Sequence, residues 1–123
     1  MNYYIGIDLG TSAMKLLLVR RDGEIMNTVT KEYPLEFPRN GWSQQNPEDW
    51  KRVLFEGVPE LLSGFDASLV KGIGAGGQMH GLVVLDKNDE IIRPAILWND
   101  GRTEKEVEYL NEVIGKKRLS ELT

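Results

Sequence analysis

The chain has 123 residues, a formal net charge of −4, and 41% hydrophobic and 28% charged residues, an ordinary globular composition with room for one real core. The acidic balance argues against nucleic acid or an anionic membrane surface as partner, since both select basic faces. There is no cysteine, so disulfides and thiolate metal sites are excluded. No apolar run approaches the ~20 residues of a bilayer span, and the first residues carry no basic leader, so a cytoplasmic protein is expected.

Tyr3 to Leu9 reads as a β-strand ending at Gly10, and Met14 to Arg20 as a second one centred on Leu16, Leu17, Leu18 and Val19. Asp22-Gly23 between two strand patterns is a hairpin signal, and Ile25 to Tyr33 follows as a third strand. Connections this short predict an antiparallel meander. Leu35 to Gln45 reads as a loop. Asn46 then suits an N-cap, with Pro47 at the first helical position and Glu48 and Asp49 facing the positive dipole end. Trp50, Val53, Leu54, Val58, Leu61 and Leu62 fall on one helical face, and Pro59 should kink that helix or end it early.

Leu69 to Gly76 is expected to be a short strand, Leu82 to Leu85 another, and Ile91 to Trp98 an edge or irregular strand because of Pro94. Lys87-Asn88-Asp89 reads as a turn. Thr103 with Glu106 forms the pattern of a capping box, Val107, Leu110, Val113 and Ile114 an apolar stripe, and Gly115 a helix stop. The order βββ-α-β-β-β-α predicts an α+β layer structure or an α/β one with a mixed sheet.

Three segments carry chemistry. In Asp8-Leu9-Gly10-Thr11-Ser12, Gly10 lets backbone approach a ligand closely, successive amides can form an anion-binding concavity, and Thr11 and Ser12 add hydroxyl donors. Asp8 can hold a hydrated Mg²⁺ beside phosphate oxygens, and Lys15 can supply positive charge. The same residues also suit a plain hairpin turn. Gly77-Gln78-Met79-His80-Gly81 contains the only histidine; imidazole can exchange hydrogen bonds with sugar hydroxyls and Met can cover an apolar sugar face, whereas a satisfied structural histidine is the bland alternative. In Trp98-Asn99-Asp100-Gly101-Arg102, Trp98 offers a flat apolar surface, and Asp100 and Arg102 suit either a ligand or a local ion pair. Gly72-Ile73-Gly74-Ala75-Gly76-Gly77 matches the dinucleotide pattern G-x-G-x-x-G literally, but that site needs a helix opening on its last glycine, and the residues after Gly77 read as extended.

The first loop resembles the leading phosphate motif of the actin, hexokinase and heat-shock-70 ATPase superfamily, which implies a ribonuclease H-like fold. Together with Gly41-Trp42-Ser43, Asn46-Pro47-Glu48 and Leu85-Asp86, the three segments resemble the FGGY carbohydrate kinases, most closely the xylulokinases. The resemblance covers nearly the whole chain. It implies ATP and Mg²⁺ as cofactors and D-xylulose as substrate. Asp8 would organise metal and phosphate through water, and Gly10, Thr11, Ser12 and Lys15 would bind ATP phosphates. Gln78, Met79, His80, Asp100 and Arg102 would bind the sugar. It further implies that residues 1–123 are the N-terminal part of the first of two domains, with the catalytic base and the second domain beyond Thr123, and that the fragment alone is inactive. A homodimer is a further expectation. Kinases of ribulose, gluconate or glycerol, a non-catalytic relative and a nicotinamide-binding domain are the competing readings.

Overall fold

A computed structural model describes residues 1–123. Alternation of apolar and polar side chains sends Tyr3 and Ile5 of β1 (Tyr3–Leu9), Met14, Leu16 and Leu18 of β2 (Ala13–Arg20) and Val29 of β3 (Ile25–Glu32) to one buried face, as a period of two requires. β1 with β2 and β2 with β3 pair antiparallel. The β2–β3 turn places Gly23 at φ +93°, a region glycine enters without steric cost.

After the two-residue strand β4 (Gln44–Gln45), helix α1 (Pro47–Leu61) crosses the buried face. Asn46 caps it by accepting from the Glu48 N–H at 3.0 Å. Its buried positions are Pro47 at the start and Val53, Gly57 and Leu61, spaced four residues apart. Strand β5 (Val70–Gly77) then joins β1 in parallel, completing a mixed four-stranded sheet in the order β3-β2-β1-β5. The core under α1 comprises Tyr3, Ile5, Met14, Leu16, Leu18, Val29, Tyr33, Val53 and Leu61, with Phe65 meeting Tyr3 edge to face at 5.7 Å between ring centroids.

Several elements depart from expectation. Pro59 does not stop α1 at once; the helix runs on to Leu61, because an exposed proline in the last turn forfeits little beyond one helical bond. Leu82–Leu85 is not a strand and touches its neighbours only through the single bridges Leu82–Ile96 and Leu85–Ile91. Pro94 in the opposing segment has no N–H for a continuous ladder, which also trims the expected Ile91–Trp98 strand to β6 (Ala95–Ile96). β6 pairs with β4, a strand invisible in sequence because its partner lies some fifty residues away. The expected final helix ending at Gly115 is instead α2 (Glu104–Tyr109) followed by a wider turn over Leu110–Gly115, and an unexpected helix α3 (Lys116–Leu122) lies beyond it. The capping box does not form: Thr103, at ψ 18° rather than extended, makes no side-chain bond to the helix. Val107, Leu110, Val113 and Ile114 stay exposed, so packing does not hold a regular helix there. Gly115, at φ +89°, does mark the break.

Gly57 sits where α1 comes nearest the sheet: a Cβ there would lie 2.5 Å from the Leu16 Cδ1, a fully buried atom group with nowhere to retreat. Gly57→Ala should therefore destabilise the domain by about 1 kcal/mol or more, overpacking outweighing the roughly 1 kcal/mol gain in helix propensity. Denaturant unfolding measures this, and adding Leu16→Val should recover part of the loss.

Candidate functional site

Because β1 and β5 are parallel neighbours, the segments leaving their carboxyl ends emerge side by side, the usual place for ligands in open α/β sheets. Leu9 pairs with Gly77, and the Gln78 N–H donates to the Leu9 carbonyl at 2.8 Å. A Cβ on Gly77 would stand 3.0 Å from the Leu9 Cβ and 3.2 Å from its carbonyl oxygen. Glycine is thus what lets Gly10–Ser12 and Gln78–His80 share one end of the sheet. No helix opens after Gly77, so the dinucleotide pattern has no helix N-terminus to offer a pyrophosphate.

The Gly10–Ala13 loop has its carbonyls tied into the protein. Tyr33 Oη shares its single proton between the carbonyls of Gly10 and, at 2.9 Å, Ala13. Gln45 Nε2 donates to the Thr11 carbonyl, and the Tyr33 N–H to the Ser12 carbonyl at 3.1 Å. The Gly10 N–H closes on the Ala13 carbonyl at 2.9 Å, the one bond a plain turn would also make. The Thr11 and Ser12 N–H groups donate to nothing in the protein. With these carbonyls bonded to the protein and two successive amides free, the loop has donors to offer an anion. Burial, together with the negative charge of Asp8, pushes the Tyr33 phenol up to about 12, so it remains a donor across the neutral range. Tyr33 and Gln45 were missed in sequence, where one reads as a strand-end aromatic and the other as loop.

Asp8 and Lys15 are cross-strand partners of β1 and β2. With Gly6, Leu17, Gly74 and Gly76 they line a depression of about 520 Å³ on the sheet face opposite α1, and neither enters a salt bridge. No cluster of three His, Cys, Asp or Glu residues forms a metal cage. One free carboxylate fits a hydrated Mg²⁺ that takes its remaining ligands from water and phosphate oxygens.

Gly77, Gln78, Met79, His80 and Trp98 line a second depression of about 290 Å³. Met79 is 71% and Trp98 57% exposed, an apolar wall open to a ligand. His80 stands at φ +58°, a backbone region uncommon outside glycine and frequent at functional sites. Gln78 is turned to the protein: its Nε2 donates to Gln45 Oε1 at 3.1 Å, while its own Oε1 is buried without a partner.

Asp100 and Arg102, expected to face a sugar, are instead drawn inward as a buried ion pair, their side chains 1% and 8% exposed. Asp100 Oδ1 accepts from the Arg102 N–H at 2.8 Å, and Oδ2 from Arg102 Nη2 at 2.7 Å and the Ser43 N–H at 2.6 Å. The guanidinium also donates to Gln44 Oε1 at 3.1 Å and lies 3.9 Å over the Trp42 ring. No carboxylate oxygen remains for a ligand. The local-ion-pair alternative describes this pair, and it clamps Gly41–Gln44 to the Trp98–Arg102 turn.

The comparisons agree with this architecture. The family described as "FGGY family of carbohydrate kinases, N-terminal domain" matches residues 3–123. The chain belongs to that family. Its fold is the mixed-sheet, ribonuclease H-like fold of the actin and hexokinase ATPases. It is similar to the xylulose kinase of Bacillus subtilis (46% identical over 121 residues, 97% of this chain and 24% of the relative) and to that of Staphylococcus xylosus (42% over 123 residues, 100% and 26%). Among solved structures, ligand-bound xylulose kinase from Lactobacillus acidophilus matches with a TM-score of 0.89 at 27% identity, over 96% of this chain and 24% of that one. A kinase from Brucella ovis matches at 0.85 and 36%, over 92% and 24%. The chain thus spans about a quarter of the length of the relatives it matches. No helix is long and apolar enough to cross a membrane.

The hydrogen bonds from Arg102 and Ser43 hold the Asp100 carboxyl down at about 2, below its ordinary 3.8. A folded-state value below the unfolded one stabilises the ionised form, so the contribution is complete above about pH 4 and is lost as pH falls through about 2. Asp100→Asn strands a buried guanidinium and should cost about 3 kcal/mol near neutrality. Thermal unfolding of both proteins should show a gap that is wide near neutral pH and closes towards about pH 2; a gap constant with pH would refute the assignment.

Proposed function

We propose that residues 1–123 form the N-terminal part of the first domain of an ATP-dependent xylulokinase, which transfers the terminal phosphoryl group of ATP to D-xylulose to give D-xylulose 5-phosphate. The observation that carries this reading is the juxtaposition of a loop with free amides and the Met79-His80 segment at one end of the sheet, in a chain of the FGGY family whose relatives are named xylulose kinases.

Thr11 and Ser12 hold phosphate oxygens through backbone amides and hydroxyls, Gly10 lets the phosphates approach the backbone closely, and Lys15 adds positive charge. Asp8 would hold Mg²⁺ through water, and the ion would supply charge neutralisation at the phosphates. Met79 and Trp98 cover the apolar side of the sugar, and His80 exchanges hydrogen bonds with its hydroxyls. Asp100 and Arg102 keep Trp98 and the Gly41–Gln44 loop in place rather than touching the sugar. Phosphoryl transfer of this kind depends on positioning and charge stabilisation, and the base that takes the hydroxyl proton, with the second wall of the cleft, comes from outside these residues. We place the enzyme in the cytoplasm and read it as a homodimer.

Full-length protein with MgATP should phosphorylate D-xylulose in preference to ribulose, gluconate and glycerol, and a different preferred acceptor would displace the substrate assignment. Asp8→Asn should lower kcat by about 10²-fold or more. Residues 1–123 alone should show no phosphoryl transfer, because neither base nor opposing wall is present. The isolated residues should also self-associate through the exposed Ile73, Val107 and Val113, a behaviour that light scattering can read directly.

A further inference from the structure

We infer that Gln45 is a positioning residue that links the nucleotide loop to the sugar segment through one continuous line of hydrogen bonds, so that each ligand is felt at the other's site. The inference rests on the kinase reading above. Gln45 lies on β4, outside both depressions, and is 1% exposed. Its Nε2 donates to the Thr11 carbonyl in the phosphate loop. Its Oε1 accepts from Gln78 Nε2 at 3.1 Å and from Trp50 Nε1, on α1, at 3.1 Å.

This pattern has a direction. A carbonyl at Thr11 can only accept and an indole N–H can only donate, so the Gln45 amide cannot be flipped without losing both partners. Trp50 anchors Oε1 to the helix, leaving its second lone pair for Gln78. The Gln78 amide is oriented in turn: its nitrogen faces Gln45, and its oxygen is buried with no partner, one residue before Met79 and His80. A shift of the Thr11 carbonyl when phosphate binds must move or strain the Gln45 amide, and with it the residue that starts the sugar segment. Buried polar groups that are fully matched hold one arrangement strongly, because any other leaves a group unpaired. A side chain needed only to fill space would be met more simply by an apolar residue of the same size.

The test measures thermodynamic coupling in the full-length protein. The Kd of a non-hydrolysable ATP analogue with Mg²⁺ is determined with and without D-xylulose, and the reverse titration must return the same factor. Wild type should show coupling of about fivefold or more. Gln45→Glu keeps the acceptor for Trp50 and Gln78 but loses the donor to Thr11; Gln78→Met removes the far end of the line. Both should bring the factor towards 1. A role limited to stability would lower the melting temperature of these variants and leave the factor unchanged, which would overturn the inference, as would a wild-type factor of 1. If Gln45→Glu does not fold, Gln78→Met alone decides in the same terms. A wild-type protein that binds neither ligand would overturn the kinase reading, and this inference with it; binding of both with unaltered coupling in the variants would overturn this inference alone.

Discussion

The site depends on the parallel pairing of β1 with β5. Two chain segments some seventy residues apart are laid edge to edge, so that the loop after Leu9 and the segment after Gly77 leave the sheet together. The contact is close enough that a Cβ at Gly77 would press on the Leu9 Cβ and carbonyl oxygen, at 3.0 and 3.2 Å. The crossover that permits it is α1, which covers one face of the sheet and seats Gly57 directly against Leu16. A parallel neighbour cannot be reached by a tight turn, so the helix core and the ligand-facing end form as one structure.

Beneath that end lies a layer of buried polar groups in place of further apolar packing. Tyr33, Gln45, Trp50 and the Asp100–Arg102 pair together engage the carbonyls of the phosphate loop, the Gln78 side chain and the Ser43 amide. Each such bond contributes only about 1 kcal/mol net, whereas an unmatched buried group costs about 1–3 kcal/mol. The layer therefore selects one geometry more than it stabilises the fold. Three atoms in it remain unmatched within the chain: Ser43 Oγ, Gln78 Oε1 and Arg102 Nη1. The side chains in front are the reverse case, with Asp8, Lys15, Met79, His80 and Trp98 exposed. A matched backing behind an open front would suit the positioning of two substrates that the proposed function requires.

Much of the fold was legible from residue patterns. Alternation along β1 to β3, the Asp22-Gly23 turn and the Asn46-Pro47 helix start are local signals, and local geometry obeys them. For Gly10–Ser12, residue types left a phosphate-holding loop and a plain hairpin turn both open, since glycine and hydroxyl residues suit both. The last helix was misread because an apolar stripe states what a helix could bury, not that a surface exists to receive it. The Leu82–Leu85 strand failed because pairing needs an unbroken partner, and Pro94 breaks it.

Residue order by itself determined the strand meander, the helix cap, the break at Gly115 and the kinds of chemistry at Asp8–Ser12 and Met79–His80, because these rest on intrinsic backbone preferences and side-chain functional groups. Tertiary structure alone decided which of those groups meet and which way they face. It turned Asp100 and Arg102 inward, where packing against Trp42 and the bond from the Ser43 N–H bury an ion pair that the similarly spaced Arg20 and Asp22 form at the surface. It also raised Tyr33 and Gln45 from unremarked positions to the supports of the phosphate loop. Hydrogen-bond partners dozens of residues apart in the chain leave no periodicity to read; only the folded geometry brings them within reach.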